Sequence, residues 1–125
     1  MLDLGGTQIT DAGLKNLKAL AGLQSLDLAG TRITDTGLKD LKEIKGLHGL
    51  GLRSTRVTDY GLKEIKELKD LTYLDLVETQ ITDAGLKQLM ELKELRWLYL
   101  NWTHITETCL KDLMQALPNT NISGP

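Results

Sequence analysis

The chain has 125 residues and a formal net charge of −2, with two Trp, three Tyr, no Phe and one Cys. That length suits a single domain, and an isoelectric point near 5.6 excludes the basic footprint of a nucleic-acid binder. No apolar run reaches membrane-span length, so no membrane insertion is expected; the lone Cys109 cannot form an internal disulfide, which favours a reducing compartment.

In chain order, Met1-Leu2-Asp3-Leu4 opens directly on a strand, with neither a signal peptide nor a cap read before it. A chain that opens mid-pattern leaves secretion open as well. The outer side of this first unit is expected to expose parts of Leu2, Leu4, Ile9, Leu14 and Leu17 beside an open strand edge. Two readings stand for it: self-association into a homo-oligomer through the uncapped end, or a chain cut from a longer array. Gly5-Gly6 is read as a small-residue turn, not a phosphate loop, because later copies place Ala29-Gly30, Arg53-Ser54 and Val77-Glu78 there.

The pattern is plainest from Leu26 to Gly49, LDLAGTRITDTGLKDLKEIKGLHG. Leu26 and Leu28 have the period-two spacing of a short strand. After Thr34-Asp35, Leu38, Leu41 and Ile44 recur three apart, one apolar face of a helix that Gly46 ends. The same twenty-four-residue unit reads without gaps over 2–25, 26–49, 50–73, 74–97 and 98–121, so residues 1–125 form one repeat domain. One strand–helix unit cannot bury its own apolar face, so the units must stack. From Pro118 the pattern changes, and Ile122 falls at a strand position; residues 118–125 are read as a short terminal cap.

At each predicted helix start stand Asp11, Asp35, Asp59, Asp83 and Glu107, with Lys15, Lys39, Lys63, Lys87 and Lys111 four residues on. This is the favourable orientation for a helix dipole and an i,i+4 pair, and predicts a solvated, charge-balanced helical face. Gly13, Gly37, Gly61 and Gly85 fall in the first helical turn, where either a left-handed backbone or close packing would require them. Cys109 holds the fifth place and speaks for close packing and a small, inert, part-buried thiol. A Cys109–His104 dyad lacks an orienting third group, and His48 repeats the places of Gln24, Thr72 and Arg96 as a surface residue. The chain is therefore read as not an enzyme, with no cofactor and no metal site.

LxxLxLxxTxI followed by ITDxGLKxL resembles the leucine-rich repeat family over nearly the whole chain. Within it the chain is similar to the ribonuclease-inhibitor-like and cysteine-containing subclass, as in bacterial and F-box-linked members. Thr7, Thr31, Thr55, Thr79 and Thr103 depart from the family's usual Asn or Cys. The fold expected is an α/β right-handed solenoid, or horseshoe. Strands about 4.8 Å apart against helices about 8–10 Å apart put the parallel sheet on the concave face and the helices on the convex one.

In such a solenoid the varying positions carry the specificity. The outward columns run Met1, Ser25, Gly49, Tyr73, Trp97, then Asp3, Asp27, Gly51, Asp75, Tyr99, then Gly5, Ala29, Arg53, Val77, Asn101. Beyond them lie Gly6, Gly30, Ser54, Glu78, Trp102, and Gln8, Arg32, Arg56, Gln80, His104. Aromatic and Arg side chains suit binding anchors. The predicted patch is Tyr73, Trp97, Tyr99 and Trp102, with Arg53, Arg56, Asp75 and His104 around it. The resemblance implies a non-catalytic scaffold for a protein or peptide, and four strand spacings, about 19 Å, suit one helix, loop or short peptide. Two alternatives stand beside it: a sugar or small ligand stacked on the aromatics, and a truncated or consensus-like structural module. Aromatics that merely shield the core would fit the last.

Overall fold

A Leu in each of the first five strands, and Ile122 in the sixth, sets the register of the whole molecule. In the computed structural model, which describes residues 1–20 and 22–125, Leu2 pairs with Leu26, Leu26 with Leu50, Leu50 with Leu74 and Leu74 with Leu98. The strands are β1 (Leu2–Asp3), β2 (Ser25–Asp27), β3 (Gly49–Gly51), β4 (Tyr73–Asp75), β5 (Trp97–Tyr99) and β6 (Asn121–Ser123). All run parallel in one sheet in sequential order. The fold is an α/β leucine-rich-repeat solenoid, each strand returning to the sheet through a helical segment on the other layer.

The strands are short because the backbone turns left-handed two residues after the second Leu of each Leu–x–Leu step. Gly6, Gly30, Ser54, Glu78 and Trp102 have φ of 69°, 68°, 56°, 56° and 61°. Interstrand bonding continues into these turns, Gly30 N–H donating to Arg53 O at 2.7 Å and Glu78 N–H to Asn101 O at 3.0 Å. One residue on, the Thr31, Thr55 and Thr79 hydroxyls donate to the Leu28, Leu52 and Leu76 carbonyls at 2.7, 2.7 and 2.6 Å. These three threonines are buried, so the bond replaces lost water. A second ladder then follows, with Thr34 bridging Arg56, Thr58 bridging Gln80 and Thr82 bridging His104.

The helices are α1 (Asp11–Leu14), α2 (Asp35–Leu41), α3 (Asp59–Ile65), α4 (Asp83–Leu86) and α5 (Glu107–Ala116). After α1 and α4 the chain tightens into 3₁₀ turns, Lys15–Ala19 and Lys87–Glu91. The Leu and Ile rows of sheet and helices meet in one continuous core, in which Leu50, Leu52, Val57, Leu62, Leu71, Leu74 and Leu86 lose all solvent contact.

Two expectations change here. Leu14 and Leu17 do not line an exposed outer side; they are buried, because they point toward the neighbouring repeat, and only Leu2, Leu4 and Ile9 are half-buried. Four of the helix-start acids, Asp11, Asp35, Asp59 and Asp83, bond chiefly across to the next repeat, and the Lys four residues on is only a minor influence on Asp83. Asp11 accepts from the N–H and hydroxyl of Thr34 at 2.8 and 2.5 Å, and Asp35 does the same for Thr58 at 2.7 and 2.5 Å. Asp59 and Asp83 hold Thr82 and Thr106 in the same way. Each of these four Asp thus clamps the helix start of the next repeat. Gly37, Gly61 and Gly85 make room for it, a β-carbon on Gly61 standing 2.5 Å from Asp35 Oδ1, while one on Gly13 would meet Ile9. No helical glycine has positive φ, so close packing is the reason for them.

Candidate binding face

Alternation along β4 and β5 buries Leu74 and Leu98 completely and turns Tyr73, Asp75, Trp97 and Tyr99 outward. Tyr73 registers with Trp97 and Asp75 with Tyr99. The diagonal pair, Tyr73 and Tyr99, has ring centroids 5.6 Å apart at 50°. Tilted aromatics at this spacing attract one another. Trp97 is 49 % exposed and Trp102 77 % exposed. Three of the predicted anchors, Tyr73, Tyr99 and Trp97, therefore form one aromatic surface on adjacent strands.

The remaining predicted residues divide around it. Trp97 and Tyr99 line a shallow hollow of about 140 Å³ with Asn121, Ile122 and Ser123 of β6. Tyr73, Asp75 and Arg53 line a larger one, about 350 Å³, over β3. Arg53 lies 3.9 Å from Glu78, whose other carboxylate oxygen accepts from Ser54 Oγ at 2.5 Å. Trp102 sits in the turn after β5. Arg56 and His104 are exposed on the second ladder, beyond the turn, and line neither hollow. Val77, counted among the outward positions, is buried.

Sequence reasoning missed Ser25, Asp27, Gly49 and Gly51, all of which line the larger hollow. Its signal was present: β3 alone has glycine at both outward positions. The electrostatics centre on Tyr73, whose phenol is raised above its ordinary value by burial first, then by Asp75, Tyr99 and Asp27. Away from this face, burial and then Asp83 push the Cys109 thiol up, and its Sγ lies 3.8 Å from the Asp83 carbonyl. A thiol so placed is a poor nucleophile.

A family model described as Leucine Rich repeat matches residues 2–18, 23–42 and 68–90. The chain is a leucine-rich repeat protein. Among solved structures, this leucine-rich repeat chain is similar to an internalin (inlF) from Listeria monocytogenes, with a TM-score of 0.82, 23 % identity and coverage of 98 % of this chain and 34 % of that one. It is also similar to internalin C2 from the same organism, with a TM-score of 0.75, 27 % identity and coverage of 98 % and 51 %. A Leptospira interrogans LRR protein follows, with a TM-score of 0.67, 26 % identity and coverage of 87 % and 27 %. The chain therefore spans between about a quarter and a half of the length of these proteins. No curated protein matches it. Among the described residues no helix is long and apolar enough to cross a membrane.

Proposed function

We propose that this scaffold is non-catalytic and binds a helix, loop or short peptide of a partner protein on its sheet face. Tyr73, Trp97, Tyr99 and Trp102 are the anchors; Arg53 and Asp75 flank them, and Arg56 and His104 stand at the margin beyond the turn. The observation that carries the reading is Trp102. A bulky side chain at φ 61° occupies a turn position that two earlier repeats fill with glycine. Left-handed backbone costs a non-glycine residue roughly 1–2 kcal/mol. At 77 % exposure Trp102 recovers little of that by packing. Strain kept without a folding return is characteristic of a recognition site. Leucine-rich repeat proteins commonly bind proteins, which supports the class of ligand, and five strand spacings give a face about 24 Å across.

The test begins with peptides selected from a displayed random library on immobilised protein, their binding read by tryptophan fluorescence. Trp97→Ala combined with Trp102→Gly should weaken them about thirtyfold, the loss of about 2 kcal/mol usual for an aromatic anchor. Trp102→Gly alone should melt at the same temperature or higher. Undiminished binding by the double variant would sink the assignment, as would a fall in melting temperature showing that the rings shield the core. If a glycan panel binds and no peptide does, the ligand class is wrong.

A further inference from the structure

The larger hollow exists because β3 presents two glycines outward between the occupied strands β2 and β4. Its floor is backbone, and its neighbours lean over it. Ser25 Oγ lies 2.8 Å from the place a β-carbon on Gly49 would take, and Asp27 Oδ1 lies 2.5 Å from that of Gly51. Tyr73 and Asp75 form the opposite wall. Both carboxylates are fixed by their own turns: Asp27 Oδ1 accepts from Ala29 N–H at 3.0 Å, and Asp75 Oδ1 from Val77 N–H at 2.9 Å. The second oxygen of each, and the Ser25 hydroxyl, have no protein partner among the described residues. Of the charged groups on the rim, Arg53 is drawn off toward Glu78, and Met1 stands at the β1 end.

We propose that this hollow is a socket for an arginine side chain carried by the bound polypeptide, its guanidinium lying against Tyr73 and donating to Asp27 and Asp75. The proposal rests on the sheet face taking a polypeptide, and names the chemistry of one contact. Charge complementarity decides the occupant. An apolar side chain would strip water from two carboxylates without replacing their hydrogen bonds, which is costly, and an acidic one would be repelled. β2 and β4 are two spacings apart, about 10 Å, with Asp27 leaning inward across that gap. A planar guanidinium with five donors can reach both walls, whereas a lysine ammonium is a compact point charge. The Tyr73 ring offers a face for the cation. The fields of both carboxylates already meet at its phenol. The volume, about 350 Å³, sits at the small end of binding pockets, as suits one side chain with residual water.

Backbone-amide NMR of the whole chain tests this with N-acetyl-arginine amide, its neutral citrulline counterpart and the lysine counterpart as probes. The arginine probe should shift the Gly49 and Gly51 amides and the Tyr73 ring saturably, the lysine probe more weakly and the citrulline probe not at all. Asp27→Asn with Asp75→Asn keeps the oxygens that accept the turn amides, and should weaken the arginine probe about tenfold or more, the loss of a charged hydrogen bond. Equal shifts from citrulline, stronger binding of lysine, no localised shift, or undiminished binding by the Asn variant would each overturn the socket. The comparison of arginine with citrulline needs no substitution, so a variant that fails to fold leaves the test intact. Trp97→Ala with Trp102→Gly should still bind the arginine probe. A failed socket with peptide binding lost in that variant leaves the aromatic reading standing, and the converse result leaves the socket.

Discussion

Thr55 shows how one hydroxyl works in this fold. It is buried, and its Oγ1 donates to the Leu52 carbonyl at 2.7 Å. That carbonyl also accepts the Thr55 N–H at 3.2 Å, so removing the hydroxyl leaves no orphan. Thr55→Val should therefore cost about 1 kcal/mol, the net worth of one hydrogen bond. Exposed Lys45, replaced by Ala, should change stability by less than about 0.5 kcal/mol. Equal urea midpoints for the two variants would contradict this role for the threonine row. The same turn sets the strain at Trp102, as at Ser54 and Glu78: the residue just before the threonine is the left-handed one, a conformation only glycine takes without steric cost.

At the level of elements, the Asp–Thr clamp does more than local pairing along a helix. Thr34, Thr58 and Thr82 cap their helices with the oxygen that also donates to the preceding repeat's Asp, so helix start and repeat contact are one arrangement. Ion pairs such as Lys18 with Asp40 and Lys42 with Glu64, at 3.4 and 3.2 Å, also join neighbours, but exposed pairs contribute at most about 1 kcal/mol. The last clamp differs. Cys109 replaces the helical glycine, Thr106 caps the N–H of Cys109 three residues on, and the Asp83–Thr106 bonds are exposed where the others are part-buried. Those bonds, the Thr106 N–H foremost, still hold the Asp83 carboxyl below its ordinary value. A lowered folded-state value means that the clamp's full contribution is present above the unfolded carboxylate range, about pH 4, and is lost as pH falls through the folded value. The stability gap between wild type and Asp83→Asn should thus be constant at neutral pH and close on acidification below about pH 4. A gap unchanged down to pH 2, by urea melts across the series, would refute it.

Across the whole molecule, stability follows the stack, since each repeat is covered only by its neighbours. Ile33 is fully buried between two repeats, whereas Ile9, the same position in the first, is half-buried, and Thr7 there is exposed. Ile33→Ala should cost about 2–5 kcal/mol, as for a large-to-small core change. Ile9→Ala should cost distinctly less. Equal losses in chemical denaturation would mean that the first repeat is as well packed as the second.

Apolar periodicity alone was enough to determine the layered architecture, because the Leu and Ile spacings belong to strand and helix directly and need no partner to be read. The sequence also placed Tyr73, Trp97 and Tyr99 on one face, since alternation within three residues is local. Only the tertiary structure decided where the acids point: Asp11 and Thr34 are 23 positions apart, and their bond exists only once two repeats stack in register. It alone identified the left-handed column, whose glycine signal in Gly6 and Gly30 fades at Ser54, Glu78 and Trp102. It set Arg56 and His104 apart from the aromatic surface, because the backbone turns between them and the strands. It made the absence of side chains at Gly49 and Gly51 into a hollow, since an empty place has a shape only when the neighbouring strands supply its walls.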